Sequence, residues 1–131
     1  GITFRKEIFE LATQKGAKTI LSAHFLGRTP SREELDNLIK DMAAEKPFAI
    51  KIVGTAQSEK DNDRIIDFLR QHSRKGTKLI AFCIGRIGKR SRIESARHGS
   101  FLAFASLSKG KGSAQGQMTI GEMRRLINGP E

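Results

Sequence analysis

Tryptophan and tyrosine are absent from this 131-residue chain, cysteine occurs once and proline three times. A single cysteine excludes a disulfide framework and a cysteine-based metal cluster. With no Trp or Tyr, and with Phe mostly inside apolar runs, the aromatic stacking surface of a single-strand nucleic-acid binder is not evident. The apolar runs fall far short of the roughly 20 residues a membrane-spanning helix needs, and no signal peptide is expected. A cytoplasmic location is the expectation. The chain opens Gly-Ile-Thr rather than with Met, as a processed product or a piece of something longer would.

Acidic residues are the other scarcity: 14 Asp and Glu against 24 Lys and Arg leave a formal net charge of +10. Such an excess points to an anionic partner, either nucleic acid or a small carboxylate or phosphate metabolite. Apolar residues at 37% and charged residues at 29% fit a globular chain with a core. The length suits one compact domain and is too short for two.

Hydrophobic periodicity alternates between helix and strand. Phe4, Ile8, Leu11 and Ala12 recur at helical spacing, and Gly16 supplies a stop. Residues 18–25 read as a buried strand broken by Thr29-Pro30. Ser31 with Glu34 forms a capping box before Leu35, Leu38, Ile39 and Met42. The pattern repeats with a strand at 48–53 and a helix bearing Ile65, Phe68 and Leu69, capped by Ser58 with Asp61 and closed by Gly76. A third strand spans 77–84 and a short helix lies near 91–97. A fourth strand is expected at 101–107, and a last helix, capped by Thr119 with Glu122, carries Ile120, Met123, Leu126 and Ile127. Units of about 25–30 residues argue for parallel strands with helical crossovers, apolar on both faces. Doubly wound sheets and (β/α) barrels both satisfy the pattern. A full eight-unit barrel needs about 250 residues, so this chain could supply half of one.

Polar residues that interrupt these strands are the candidates for chemistry. Lys51 sits mid-strand among large apolar neighbours, either snorkelling to water or holding a lowered pKa that lets the neutral amine attack a carbonyl. His24 ends the first strand, on the side where α/β sheets carry their sites, as a structural residue or a proton shuttle. The run Gly85-Arg-Ile-Gly-Lys-Arg-Ser-Arg92 concentrates positive charge as an anion trap, in which Arg92 could fork a carboxylate, or as a solvated basic loop. The segment 108–117 contains Gly-Lys-Gly-Ser, but the spacing of a Walker phosphate loop is absent. Cys83 reads as an inert strand residue, and His72 and His98 lack metal-ligand spacing.

Five segments in order resemble the C-terminal half of the type I 3-dehydroquinate dehydratases, (β/α)8 hydro-lyases of the shikimate pathway. Ser22-Ala-His24 with Thr29-Pro30 is similar to that family's Ser-x-His segment and Thr-Pro. Ile50-Lys51-Ile52-Val53 looks like the strand of its Schiff-base lysine, and Gly88-Lys-Arg-Ser91-Arg92 like its Gly-x-x-Ser-Arg. Gly99-Ser100 with Phe104 matches the strand before its last loop, and Ser113-Ala-Gln-Gly-Gln117 is similar to its Ser-Ala-Pro-Gly-Gln. The resemblance implies an imine between Lys51 and the ketone of 3-dehydroquinate. It implies that His24 serves as general acid and base and that Arg92 holds the substrate carboxylate. Ser113 and Gln117 would bind substrate from the loop above. It implies no metal or organic cofactor.

The chain departs from that pattern at Phe25, where the family usually has Asp, at Gln115 for the loop Pro, and at Ile84 for a Met. The first four strands of such a barrel, with their acidic and arginine residues, have no counterpart in it. The expectation is therefore a single (β/α)4 half-barrel over 1–131 with a leading helix. Its partner would be the missing N-terminal half, as another chain or segment, or a copy of itself. A non-catalytic homologue that binds the same metabolites is a second possibility. A basic nucleic-acid module, recognisable by steeply salt-dependent affinity, is a third. A half-barrel leaves strand edges unpaired, so the chain should purify with a partner or self-associate; a fully active 14.5 kDa monomer by native mass spectrometry overturns this expectation.

Overall fold

The computed structural model describes residues 2–112 and 117–129, with side chains from residue 6 onward. Helix α1 (Ile2–Gln14) leads into strand β1 (Ile20–His24), helix α2 (Arg32–Ala44), strand β2 (Ala49–Thr55) and helix α3 (Glu59–Arg74). Strand β3 (Leu79–Ile84), helix α4 (Lys89–Arg97) and helix α5 (Ile120–Asn128) follow. The three strands form one parallel sheet in the order β1-β2-β3, the arrangement expected of consecutive β/α units. None of the described helices is long and apolar enough to cross a membrane.

Local chemistry sets the helix starts. The Ser31 hydroxyl accepts the Glu34 N–H at 3.2 Å while the Glu34 carboxylate accepts the Ser31 N–H at 2.7 Å, the reciprocal box read from the sequence. Arg28 adds a two-pronged grip on Glu34, each prong 3.0 Å, and this guanidinium more than the backbone contact brings the carboxyl down to about 2. At α3 the Asp61 carboxylate accepts the N–H groups of Gln57 and Ser58 at 2.8 and 3.3 Å, and Arg64 pairs with it at 2.9 Å. Thr119 and Glu122 close a third box at α5, with bonds of 2.9 and 3.2 Å.

The apolar faces of α2 and α3 cover one side of the sheet. Leu35, Ile39 and Met42 from α2 and Ile65, Phe68 and Leu69 from α3 pack on Leu21, Ile50, Ile52, Leu79, Ala81 and Cys83. Full burial of an aliphatic or aromatic side chain contributes about 1.5–3 kcal/mol, so this layer holds the molecule together. The other side of the sheet carries a smaller cluster of Val53, Ile80 and Phe82, flanked by Ile84 and Phe104.

Three expectations are corrected. Residues 101–105 form no strand: the Phe101 N–H bonds to the Leu79 carbonyl at 2.9 Å, and the segment then leaves β3, touching regular pairing again only at the bridge between Ser106 and Thr119. After that one bond no further backbone pairing to β3 follows among the described residues, so no ladder forms. The apolar stripe of α1 is also not inward-facing, since Ile8 and Leu11 are 61% and 56% exposed while Phe9 packs on the core. Strand β1, finally, is not apolar on both faces; Ile20, Ser22 and His24 are exposed because no layer covers that side of the edge strand.

The two ends of this scale make a direct comparison. Phe68→Ala, at a site with no exposed surface, should cost about 3–5 kcal/mol. Ile8→Ala should stay within about 0.5 kcal/mol. Urea unfolding followed by far-UV circular dichroism reads both.

Candidate active site

Parallel register decides which side chains share a face. Ser22 lies opposite Lys51, which lies opposite Ile80; His24 lies opposite Val53, which lies opposite Phe82. Residues paired across parallel strands point the same way and their sequence neighbours point the other. Lys51, His24 and Phe82 therefore stand on the sparsely covered face, whereas Ile50, Ile52 and Gly54 meet the helices.

Two loops brace the ends of these strands. After β1, the chain folds back over the end of β2: the Thr55 hydroxyl donates to the Phe25 carbonyl at 2.8 Å and accepts the Gly27 N–H at 3.1 Å. The Thr29 hydroxyl donates to the Thr55 carbonyl at 2.9 Å. A side chain at Gly54 would bring its Cβ within 2.7 Å of that hydroxyl, so glycine is required for this close approach and His24 is anchored through it. After β3, the chain turns tightly at Gly88, where a Cβ would sit 2.6 Å from the Cys83 carbonyl. The Ser91 hydroxyl accepts the Cys83 N–H at 2.8 Å and donates to the Gly88 carbonyl at 2.8 Å, tying the first turn of α4 to β3. Arg92 follows directly and is delivered to the face of the sheet that carries Lys51.

A cavity of about 240 Å³ results, lined by His24, Lys51, Val53, Phe82, Ile84, Arg92, Phe104 and Gln117. Burial, with a smaller push from the Arg92 charge, lowers the Lys51 ammonium below the ordinary lysine value. Arg92 is only 4% exposed, burial lowers its pKa too, and its Nε has no hydrogen-bond partner. Among the described residues no carboxylate pairs with Lys51 or Arg92. Lys51 Nζ rests over the Phe104 ring at 4.2 Å, and the Arg92 guanidinium over the Phe82 ring at 4.6 Å. A half-buried amine of lowered basicity beside a buried, unpaired guanidinium can receive a carbonyl compound that also carries a negative group.

Four of the five site residues expected from the sequence, Lys51, His24, Arg92 and Gln117, line this one cavity. Ser113 lies outside the described residues. The wider anion trap contracts: Arg86 is exposed, Arg90 is bound to Glu59, Asp63 and Glu94, and Arg92 alone reaches the cavity. Lys109 borders a separate polar concavity with Lys89, Thr119 and Glu122 rather than the space around Lys51. Sequence reasoning overlooked Phe82, whose place opposite Val53 follows only from strand register, and Thr55, whose hydroxyl bonds across to the preceding loop. The glycine inside β2 was the available signal for the latter.

Fold and site together define a class: parallel β/α units of the barrel type, about half of a (β/α)8 barrel, presenting a lysine of lowered pKa beside a buried arginine. The family model described as type I 3-dehydroquinase matches residues 2–129, and the chain belongs to that family. It is 39% identical over 123 residues to a 3-dehydroquinate dehydratase of Pyrococcus abyssi, covering 94% of this chain and 54% of that protein. A Thermococcus gammatolerans protein of the same name is 38% identical over 92% of this chain and 54% of its own length. The fold matches the crystal structure of a type I 3-dehydroquinate dehydratase from Clostridium difficile with covalently modified comenic acid. That match has a TM-score of 0.86 at 25% identity and covers 98% of this chain and 50% of that one. The chain thus spans about half the length of the relatives it matches.

The Lys51 environment gives a signed expectation for the free chain. Acetylation of Lys51, followed by peptide mass across a pH series, should show a midpoint below the ordinary 10.5. Arg92→Gln removes a like charge and should move that midpoint upward.

Proposed function

We propose that this chain supplies the imine-forming half of a cytoplasmic hydro-lyase that converts 3-dehydroquinate to 3-dehydroshikimate and water in the shikimate pathway. The observation that carries this reading is the pairing, in one cavity, of Lys51 at lowered pKa with the buried, unpaired Arg92. Membership in the 3-dehydroquinase family supports it.

In this reading the neutral Lys51 amine attacks the substrate ketone, and loss of water leaves a protonated imine. The cationic carbon–nitrogen bond draws electrons from the adjacent carbon, making its proton acidic. His24 takes that proton, the bond to the β-hydroxyl breaks, and His24 passes the proton to the departing oxygen as water. Hydrolysis of the imine frees the product and restores the amine. Arg92 forks the substrate carboxylate, and Ser113 and Gln117 hydrogen-bond the substrate and help exclude water. No metal or organic cofactor takes part in these steps.

The remaining barrel units come from a complementary N-terminal half, as another chain or segment, or from a second copy. The exposed Ile20, Phe101, Leu102 and Leu126 support this need for cover. Another reading, binding of the same metabolites without turnover, is favoured by one observation: Phe25 packs on the covered core, 5.4 Å beneath Arg28, so the position after His24 offers no carboxylate to orient the imidazole.

Borohydride added to the chain, its complementary half and 3-dehydroquinate should leave a reduced adduct on the Lys51 peptide, absent from Lys51→Ala. His24→Ala should slow turnover by about 10²–10⁴-fold. Binding of 3-dehydroquinate with no adduct establishes the non-catalytic reading instead.

A further inference from the structure

Two cations share a small, partly apolar cavity, and among the described residues no carboxylate neutralises either. Like charges so placed drive each other apart unless something else holds them. The nearby acids Glu59, Asp63 and Glu94 are engaged with Arg90. What Lys51 and Arg92 do touch is aromatic: Phe104 beneath the ammonium at 4.2 Å and Phe82 beneath the guanidinium at 4.6 Å. The two rings also meet each other, with centroids 6.4 Å apart and planes inclined at 47°. Each cation lies within the roughly 6 Å over which the negative face of a ring attracts positive charge.

We infer that Phe82 and Phe104 act as positioning residues, a coupled aromatic platform that seats Arg92 and Lys51 where no described carboxylate does so. The chemistry of the site gives the choice a reason. A carboxylate beside Lys51 would favour its ammonium form and silence the amine, and one beside Arg92 would compete for the fork with any anionic ligand. A ring face attracts both cations without occupying the guanidinium's donors. Phe82 reaches this position because it stands opposite Val53 in the β3 register, on the same face as Lys51. Phe104 reaches it from the extended segment that leaves β3 after Phe101. The other titratable group facing Lys51 across the cavity is His24 from β1; Arg92 faces it from α4.

The test uses the free chain without substrate, so its outcome is independent of catalytic activity. Site-specific replacement of Phe104 by pentafluorophenylalanine keeps the ring's shape and removes its negative face. The midpoint of Lys51 acetylation should fall by about half a pH unit, because the ammonium loses its support. The same replacement at Phe82 should expose Arg92 to phenylglyoxal, raising its labelling about threefold or more, as read by peptide mass. At Phe101, which meets Phe48 edge-to-face and touches neither cation, the replacement should change neither readout. Phe104→Leu and Phe82→Leu provide the same comparison without fluorine. An unchanged Lys51 midpoint, or unchanged Arg92 labelling, in variants with native circular dichroism overturns the proposal.

Discussion

Strand β2 is hydrogen-bonded on both sides, and that double pairing orders everything around it. A one-residue slip in either ladder would turn Lys51 toward the helices and Ile50 or Ile52 toward the cavity. The slip is prevented from the covered side, where Ile50 and Ile52 fill the layer built by α2 and α3. The position of Lys51 is therefore a by-product of apolar packing on the opposite face. Core and site are two sides of one strand, and the energy that specifies the first specifies the second.

The same economy governs the strand ends. Among the described residues, neither His24 nor Arg92 is placed by a hydrogen bond to its own functional group. His24 inherits its place from the loop that Thr55 and Thr29 clamp over Gly54. Arg92 inherits its place from Ser91, whose hydroxyl ties the helix to the backbone of Cys83. The functional groups are thereby left unspent, with the guanidinium Nε lacking a partner. Holding residues by their neighbours, and leaving their own polar atoms open, is what a binding site requires.

Much of this was legible in the sequence, for reasons that differ by element. The capping boxes at Ser31 and Thr119 are local chemistry and need no tertiary knowledge. Strands β2 and β3 were readable because burial on both faces writes a continuous apolar run. Residues 101–107 carry the same kind of run, yet the segment parts from β3 after one backbone bond, and composition cannot report where a ladder stops. Ile8 and Leu11 mislead in the same way: their helical spacing is sound, but spacing names a face without naming what covers it. Lys51 could be singled out as a costly charge in apolar surroundings, and Arg92 as a possible carboxylate fork in a basic run. Their seating on Phe104 and Phe82 could not, because it joins residues 53 and 10 positions apart through strand register and a loop path.

The free side of β1 has a colloidal consequence. An uncovered strand edge is a template on which extended segments of other copies can add, and natural sheets guard such edges with charge. Here Lys18 precedes the strand, and the whole chain carries +10. That like charge acts as a gatekeeper between copies, and dissolved salt weakens it over about 8–10 Å at physiological strength. The basic character of the chain thus sets a salt-sensitive barrier at that open edge.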